Sequence, residues 1–325
     1  MTTKMKTFIQ LLSISSLFLV TACNKKEVAT PEVALSTTKN QVLKTTKGWE
    51  VYNLGKGLEH YQFPSQYVEE FDSYQNVNVL ALHPDNSEYE VQFIDITPED
   101  SISSAMMKIP NAVFGINGTY YEKSINSGNS SSYFRTNGVL IDSVETAPGG
   151  RLYWKHEGAF YMNKDEAGIV RGDNKIYNQE RYSNIMSGSP LLIENYHPSG
   201  VHYVRNHLGS IDSLNYEHPD RHQGVRHPRT AVAILEGDIL LFITVDGRSE
   251  KAAGMSAKEL TEFLVKHFEP KDALNLDGGG STTFWLKDQI GNTSSTGVIN
   301  YPTDNRSFDH YGQRRIRNGF VIIKK

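Results

Sequence analysis

The run Asp277-Gly278-Gly279-Gly280-Ser281-Thr282 concentrates the most chemistry in the chain. Its glycines permit backbone angles closed to other residues and let a ligand approach the main chain closely. Successive N–H groups in such a turn can cradle an anion. An acid precedes them and two hydroxyls follow, with no lysine in the position a P-loop needs. A second acid stands in Asp246-Gly247-Arg248, and another arginine in His227-Pro228-Arg229-Thr230. A guanidinium offers a planar fork of donors that suits a phosphate, and it serves equally well in a structural ion pair. Arg314, Arg315 and Arg317 crowd the approach to Asn318-Gly319. Asn117-Gly118-Thr119-Tyr120 supplies an amide and an aromatic ring, which can bond and stack on a sugar or simply build a turn and a core.

Six of the eleven histidines fall between His197 and His227, at spacings that fit no helix-borne zinc signature. Oxygen ligands suit hard cations better, so any metal expected here is Ca²⁺ or Mg²⁺ on Asp246 and Asp277, and the pattern requires none.

These residues need elements to hold them. Residues 230–235 and 239–245 are β-branched runs around Glu236-Gly237-Asp238, which reads as a hairpin. Ser256 and Glu259 have capping-box spacing, and Leu260, Phe263, Leu264 and Phe268 follow on one helical face before Pro270. Residues 273–276 then form a short apolar strand ending at Asp277. Strand, helix and strand with short links predict a βαβ unit with parallel strands whose C-terminal ends share an edge. As neighbours, they would place Asp246 and Asp277 about 5–10 Å apart.

Elsewhere, residues 77–82 and 89–96 predict a hairpin, Thr97-Pro98 a helix start, 113–116 a short buried strand leading into Asn117, and 320–323 a final strand. Residues 194–229 read as a long irregular excursion. The fold class expected is α+β or mixed α/β, a central mostly antiparallel β-sheet with packed helices and one parallel βαβ crossover.

Composition narrows the function. With 38% hydrophobic and 10% aromatic residues over 325 positions, the chain is a folded globular protein. A net charge of −4 gives no basic face for nucleic acid. One cysteine excludes an intramolecular disulfide and a thiolate-rich zinc site. Lys4 and Lys6 precede an apolar run over 8–20 that ends in Val20-Thr21-Ala22-Cys23. This resembles a bacterial lipobox. It implies a signal peptide over 1–22, lipidation of Cys23, a flexible tether over 23–47, a folded domain over 48–325, and a membrane-anchored place in the cell envelope.

Asn117-Gly118-Thr119-Tyr120, His227-Pro228-Arg229-Thr230, Val245-Asp246-Gly247-Arg248, Asn275-Leu276-Asp277 with its glycines, and Arg315-x-x-Asn318-Gly319 come in that order. Together they resemble the phosphodiester glycosidase family over about residues 77–325. The resemblance implies hydrolysis of a glycosyl-1-phosphodiester, releasing sugar from a phosphate-linked glycan or glycolipid without a required cofactor. Asp277 is then the first candidate for the catalytic carboxylate and Asp246 the second. Asn117, Gly118, Tyr120, Arg229, Thr230, Arg248, Gly278, Gly279, Gly280, Ser281, Thr282, Arg315 and Asn318 are the candidates for binding sugar and phosphate. Thr119 stands where the family commonly has a smaller residue, so the sugar pocket need not match. Two other readings use the same residues: a metal-assisted phosphodiesterase and a non-catalytic glycan-binding lipoprotein.

Overall fold

The computed structural model describes residues 42–83, 88–121, 131–163, 166–202 and 211–325. The leader, Cys23 and most of the expected tether lie outside these residues. The strands, in chain order, are β1 (Glu50–Gly55), β2 (Leu58–Val68), β3 (Ser73–Leu82), β4 (Tyr89–Asp100), β5 (Ala112–Asn117), β6 (Phe134–Thr136), β7 (Val139–Asp142), β8 (Gly158–Met162), β9 (Ala167–Arg171), β10 (Ile185–Gly188), β11 (Leu191–Ile193), β12 (Arg229–Ile234), β13 (Leu240–Val245), β14 (Asp272–Asn275), β15 (Phe284–Leu286) and β16 (Ile316–Lys324). The helices are short: α1 (Ile102–Met106), α2 (Asn174–Tyr177), α3 (Pro219–Gly224) and α4 (Ala257–His267).

Three sheets form, in the orders β1-β2-β3-β13-β12-β14-β11, β7-β6-β10-β8-β9 and β15-β5-β16-β4. The central strands β12 and β13 are buried at every position. Strand alternation explains why they read as unbroken apolar runs. Ala231, Ala233, Leu241 and Ile243 face the cluster built around Leu260, Phe263 and Leu264 of α4. Val232, Ile234, Leu240 and Phe242 face the opposite cluster, with Phe114, Phe160 and Phe320 from the other sheets. Helix α4 starts at the predicted capping box, Ser256 accepting from Glu259 N–H and Glu259 from Ser256 N–H.

Mostly antiparallel sheets with few helices match the coarse expectation, but the parallel crossover does not form. Strands β13 and β14 are not neighbours: β12 lies between them, antiparallel to both. The hairpin β12–β13 was legible. Helix α4 then carries the chain across β12 to its far side, where β14 meets the same partner. Both strands still end at the edge where β12 begins, since Arg229 pairs with Val245 and Ala231 with Asn275. The neighbour spacing expected for Asp246 and Asp277 therefore does not apply; one strand separates them.

Two smaller expectations also fail. Residues 77–82 and 89–96 form no hairpin, because β3 pairs with β2 and β13 while β4 pairs with β16 in another sheet. Thr97-Pro98 continues β4, and the helix begins later, capped by Ser101. Packing also starts before the expected boundary at 48, since Val42 and Leu43 are buried in the α4 cluster. No helix of the described residues is long and apolar enough to cross a membrane.

Candidate functional site

The Asp277 loop is held from three directions. Asp277 N–H donates to Gly118 O at 3.1 Å, and Asn117 Nδ2 donates to Asp277 O at 2.8 Å. Asn117 Oδ1 accepts from Thr230 Oγ1 at 2.8 Å and Thr283 N–H at 3.1 Å. One buried amide thus joins the end of β5, the start of β12 and the turn after β14. Asn318 O accepts from Gly118 N–H at 3.1 Å and steadies the same junction. Two glycines have clear steric reasons. A side chain on Gly278 would place Cβ 2.5 Å from Pro228 O, and Gly279 sits at φ +63 with Arg248 Nη2 3.1 Å from the Cβ it lacks.

Beside this loop lies a cavity of about 160 Å³ lined by Tyr120, Tyr121, Lys155, Tyr216, Glu217, His222, His227, Pro228, Arg229, Arg248, Asp277, Gly278, Gly279 and Arg314. Four cations face two carboxylates there, so the cavity favours an anion. Burial raises the Asp277 carboxyl above the ordinary carboxylate value, while the Ser281 hydroxyl, Lys155, Arg314 and the Gly278 N–H draw it back. Its Oδ1 accepts from Gly278 N–H at 2.9 Å. Burial holds His227 down at about 3 and His222 well below its usual value, with Arg229 beside both as a further cause. Both rings are neutral at pH 7. Among the described residues, His222 Nδ1 and His227 Nε2 have no hydrogen-bond partner, which leaves them for a polar ligand.

The four cations differ. Lys155 pairs with Glu217 at 3.0 Å, and Arg314 with Asp304 at 2.5 Å. Arg229 is 2% exposed. It donates to Met255 O at 2.9 Å, His222 O at 2.9 Å, Val225 O at 3.0 Å and Gln223 Oε1 at 3.1 Å. It has no ion-pair partner among the described residues, and burial lowers its pKa to about 10. It is a strut that fastens α3 and its exit loop to the sheet. The Arg248 guanidinium has neither a hydrogen bond nor an ion pair among the described residues, and its backbone, tied by N–H to Ala253 O at 3.4 Å, holds φ +64. A non-glycine residue in the left-handed region beside a binding cavity is a mark of function, because the strain must be maintained by its surroundings.

Other sequence candidates fall outside the cavity lining. Asp246 is 1% exposed and both its oxygens are taken, Oδ1 by Asn300 Nδ2 at 2.8 Å and Tyr301 N–H at 3.0 Å, Oδ2 by Asn76 Nδ2 at 2.7 Å. It organises the loop after β15 from behind the site. Arg315 turns away and donates to Glu99 O at 3.0 and 2.5 Å. Its neighbour Arg314 takes the place in the cavity. The glycine turn is not an open anion cradle either: the N–H groups of Gly278, Gly279 and Ser281 bond to Asp277 Oδ1, Pro228 O and Gly278 O. Thr230 and Thr282 are buried behind it, their hydroxyls 3.5 Å apart. Tyr120 does line the cavity, its hydroxyl donating to Ser189 O at 3.1 Å.

Sequence reading missed Lys155, Tyr216 and Glu217. It saw the histidines only as a weak metal signal. No group of three His, Cys, Asp or Glu converges among the described residues. The N–H donors around Asp246 suit an anion held as such, so this carboxylate does not fit a cation's ligand.

The phosphodiester glycosidase family model matches residues 110–323, which carry every segment of the site. The chain belongs to the phosphodiester glycosidase family. It is 29% identical over 139 residues to N-acetylglucosamine-1-phosphodiester alpha-N-acetylglucosaminidase of Bos taurus, a match covering 42% of this chain and 24% of that protein. It is 33% identical over 97 residues to the SPbeta prophage-derived uncharacterized protein YomE of Bacillus subtilis (strain 168), covering 26% and 15%. Each match thus spans about a quarter or less of the relative's length. The zebrafish N-acetylglucosamine-1-phosphodiester alpha-N-acetylglucosaminidase catalytic domain, auto-inhibited by its pro-peptide, superposes with TM-score 0.59 at 19% identity, covering 86% of this chain and 89% of that one. A hypothetical protein from Synechocystis gives TM-score 0.55 at 13% identity, covering 85% and 64%. The structural likenesses establish a shared fold.

Proposed function

We propose that this phosphodiester glycosidase family member hydrolyses the anomeric C–O bond of a glycosyl-1-phosphodiester, with Asp277 as the carboxylate at the reacting carbon. The observation that carries the reading is one half-buried carboxylate sharing a small polar cavity with Lys155, Arg248 and Arg314. A phosphodiester departs as a stable anion, so the reaction depends less on a strong acid than on cations at the leaving oxygen. Arg248 is free to take that role, with Arg314 beside it. The sugar carbon gains positive charge as the bond breaks, and Asp277 stabilises it as nucleophile or as base for water. Glu217, held by Lys155, is the second carboxylate the cavity presents, in place of Asp246. Neutral His222 and His227 and the ring of Tyr216 offer hydrogen bonds and a stacking face to the sugar.

The test is turnover of an N-acetylglucosamine-1-phosphodiester in heavy-oxygen water, with and without chelator. The proposal expects the label in the released sugar and no effect of chelator. Label in phosphate would instead indicate P–O cleavage, and saturable binding without turnover a glycan-binding protein. The proposal also keeps the enzyme in the cell envelope, tethered through Cys23. Its support is the basic start, apolar run and small residues before that cysteine. Incorporation of labelled fatty acid, abolished by Cys23→Ser, tests it.

A further inference from the structure

A second cavity of about 360 Å³ adjoins the first and is lined by Arg248, Ser249, Thr303, Arg306, Ser307 and Phe308. Arg248 lines both. Among the described residues no carboxylate lines the second cavity, and neither the Arg248 nor the Arg306 guanidinium has a hydrogen-bond or ion-pair partner. Both arginines hold left-handed backbone angles, φ +64 and +62. Two guanidinium groups without side-chain partners, each on a left-handed backbone, thus border one cavity. Thr303 is 5% exposed, and its Oγ1 has no partner among the described residues. That hydroxyl is an unmet hydrogen-bonding group in the cavity wall. The floor is firm: Phe308 stacks on Tyr301 at 4.0 Å with a 6° interplanar angle, and the Lys251 ammonium lies 5.8 Å from the Phe308 ring centre.

We infer that this cavity is a subsite for a second phosphate, carried on the aglycone of the substrate. The inference rests on the proposed reading of the first cavity, where the scissile phosphate meets Arg248. An aglycone leaving past Arg248 enters a space whose charged groups are cations and whose hydroxyls can donate to phosphate oxygens. The substrate class is thus a glycosyl-1-phosphodiester whose aglycone bears a further phosphoryl group, not a neutral alcohol.

Binding separates this from the catalytic proposal. Calorimetric titration of the full chain would use inorganic phosphate, glycerol 3-phosphate, glycerol 1,3-bisphosphate and hexane-1,6-diol bisphosphate, the last two offering a short and a long separation of the phosphates. Added charge-assisted hydrogen bonds should make at least one bisphosphate bind about tenfold more tightly than glycerol 3-phosphate. Arg306→Asn keeps a residue that tolerates the left-handed angle and should bring the two affinities within about twofold. Bisphosphates binding no better than the monophosphate would overturn the subsite, as would equal loss of both in Arg306→Asn. Selective bisphosphate binding without any sugar release would uphold the subsite while removing the catalytic reading. Sugar release with no bisphosphate preference would do the reverse.

Discussion

Arg229 and Arg248 line the same cavity, and their contacts assign them opposite fates on substitution. Arg229→Met removes donors from Met255 O, His222 O and Val225 O, all within 3.0 Å, and from Gln223 Oε1. Charge-assisted bonds of this kind contribute about 1.5–3 kcal/mol each, and three short ones about 5–9 kcal/mol. Against this, burial lowers the arginine from 12.5 to about 10. That difference represents roughly 3 kcal/mol of strain from burying the cation, which methionine relieves. The net loss is about 2–6 kcal/mol. Arg248→Gly breaks no side-chain hydrogen bond or ion pair among the described residues and relieves a left-handed angle, so its stability should stay within about 1 kcal/mol of wild type. Its kcat/KM should fall about 10²–10³-fold, as when one donor to a developing anion is lost. Urea unfolding at pH 7 followed by steady-state kinetics checks both variants. An Arg229→Met protein of wild-type stability with kinetics like Arg248→Gly would refute the assignment of strut and ligand.

Three further outcomes follow from the same contacts. Burial raises Asp246 from 3.8 to about 6. The folded state therefore holds this proton more tightly than the unfolded chain, and ionisation of Asp246 costs roughly 3 kcal/mol of stability, fully present above the folded value. As pH falls from about 6 to about 4 that cost is relieved, so wild type should gain stability relative to Asp246→Asn across this window in paired urea titrations; a constant difference would contradict it. Gly278→Ala would drive Cβ against the backbone oxygen of Pro228, and Gly279→Ala would strain a left-handed angle and press on Arg248, so both should reduce kcat/KM; wild-type kinetics in either would contradict this. Arg314→Ala should raise KM for the phosphodiester, while Arg315→Ala should leave it near wild type, because Arg315 bonds to Glu99 O away from the cavity.

The legible and illegible parts of this site differ in range. Ser256 and Glu259 announced α4 because a capping box is complete within four residues. The glycines after Asp277 announced a close approach because only glycine tolerates it. The hairpin of β12 and β13 was equally local. Which side of β12 receives β14 is decided by packing of α4 over a sheet assembled from distant strands, and no local pattern carries that choice. The same limit hid Lys155 and Glu217, which reach the cavity from separate loops and meet at 3.0 Å. Asp246 misled because a carboxylate after a strand looks alike whether it faces substrate or three N–H donors. Arg314 and Arg315 differ by one position, and only their partners Asp304 and Glu99 tell them apart.

The measurement that bears most directly on the central claim compares wild type with Asp277→Asn on an N-acetylglucosamine-1-phosphodiester, with calorimetric binding and urea unfolding run on the same preparations. The account predicts that the variant folds, still binds the phosphodiester, and loses at least about 10³-fold in kcat. Turnover retained in a folded Asp277→Asn protein would contradict it.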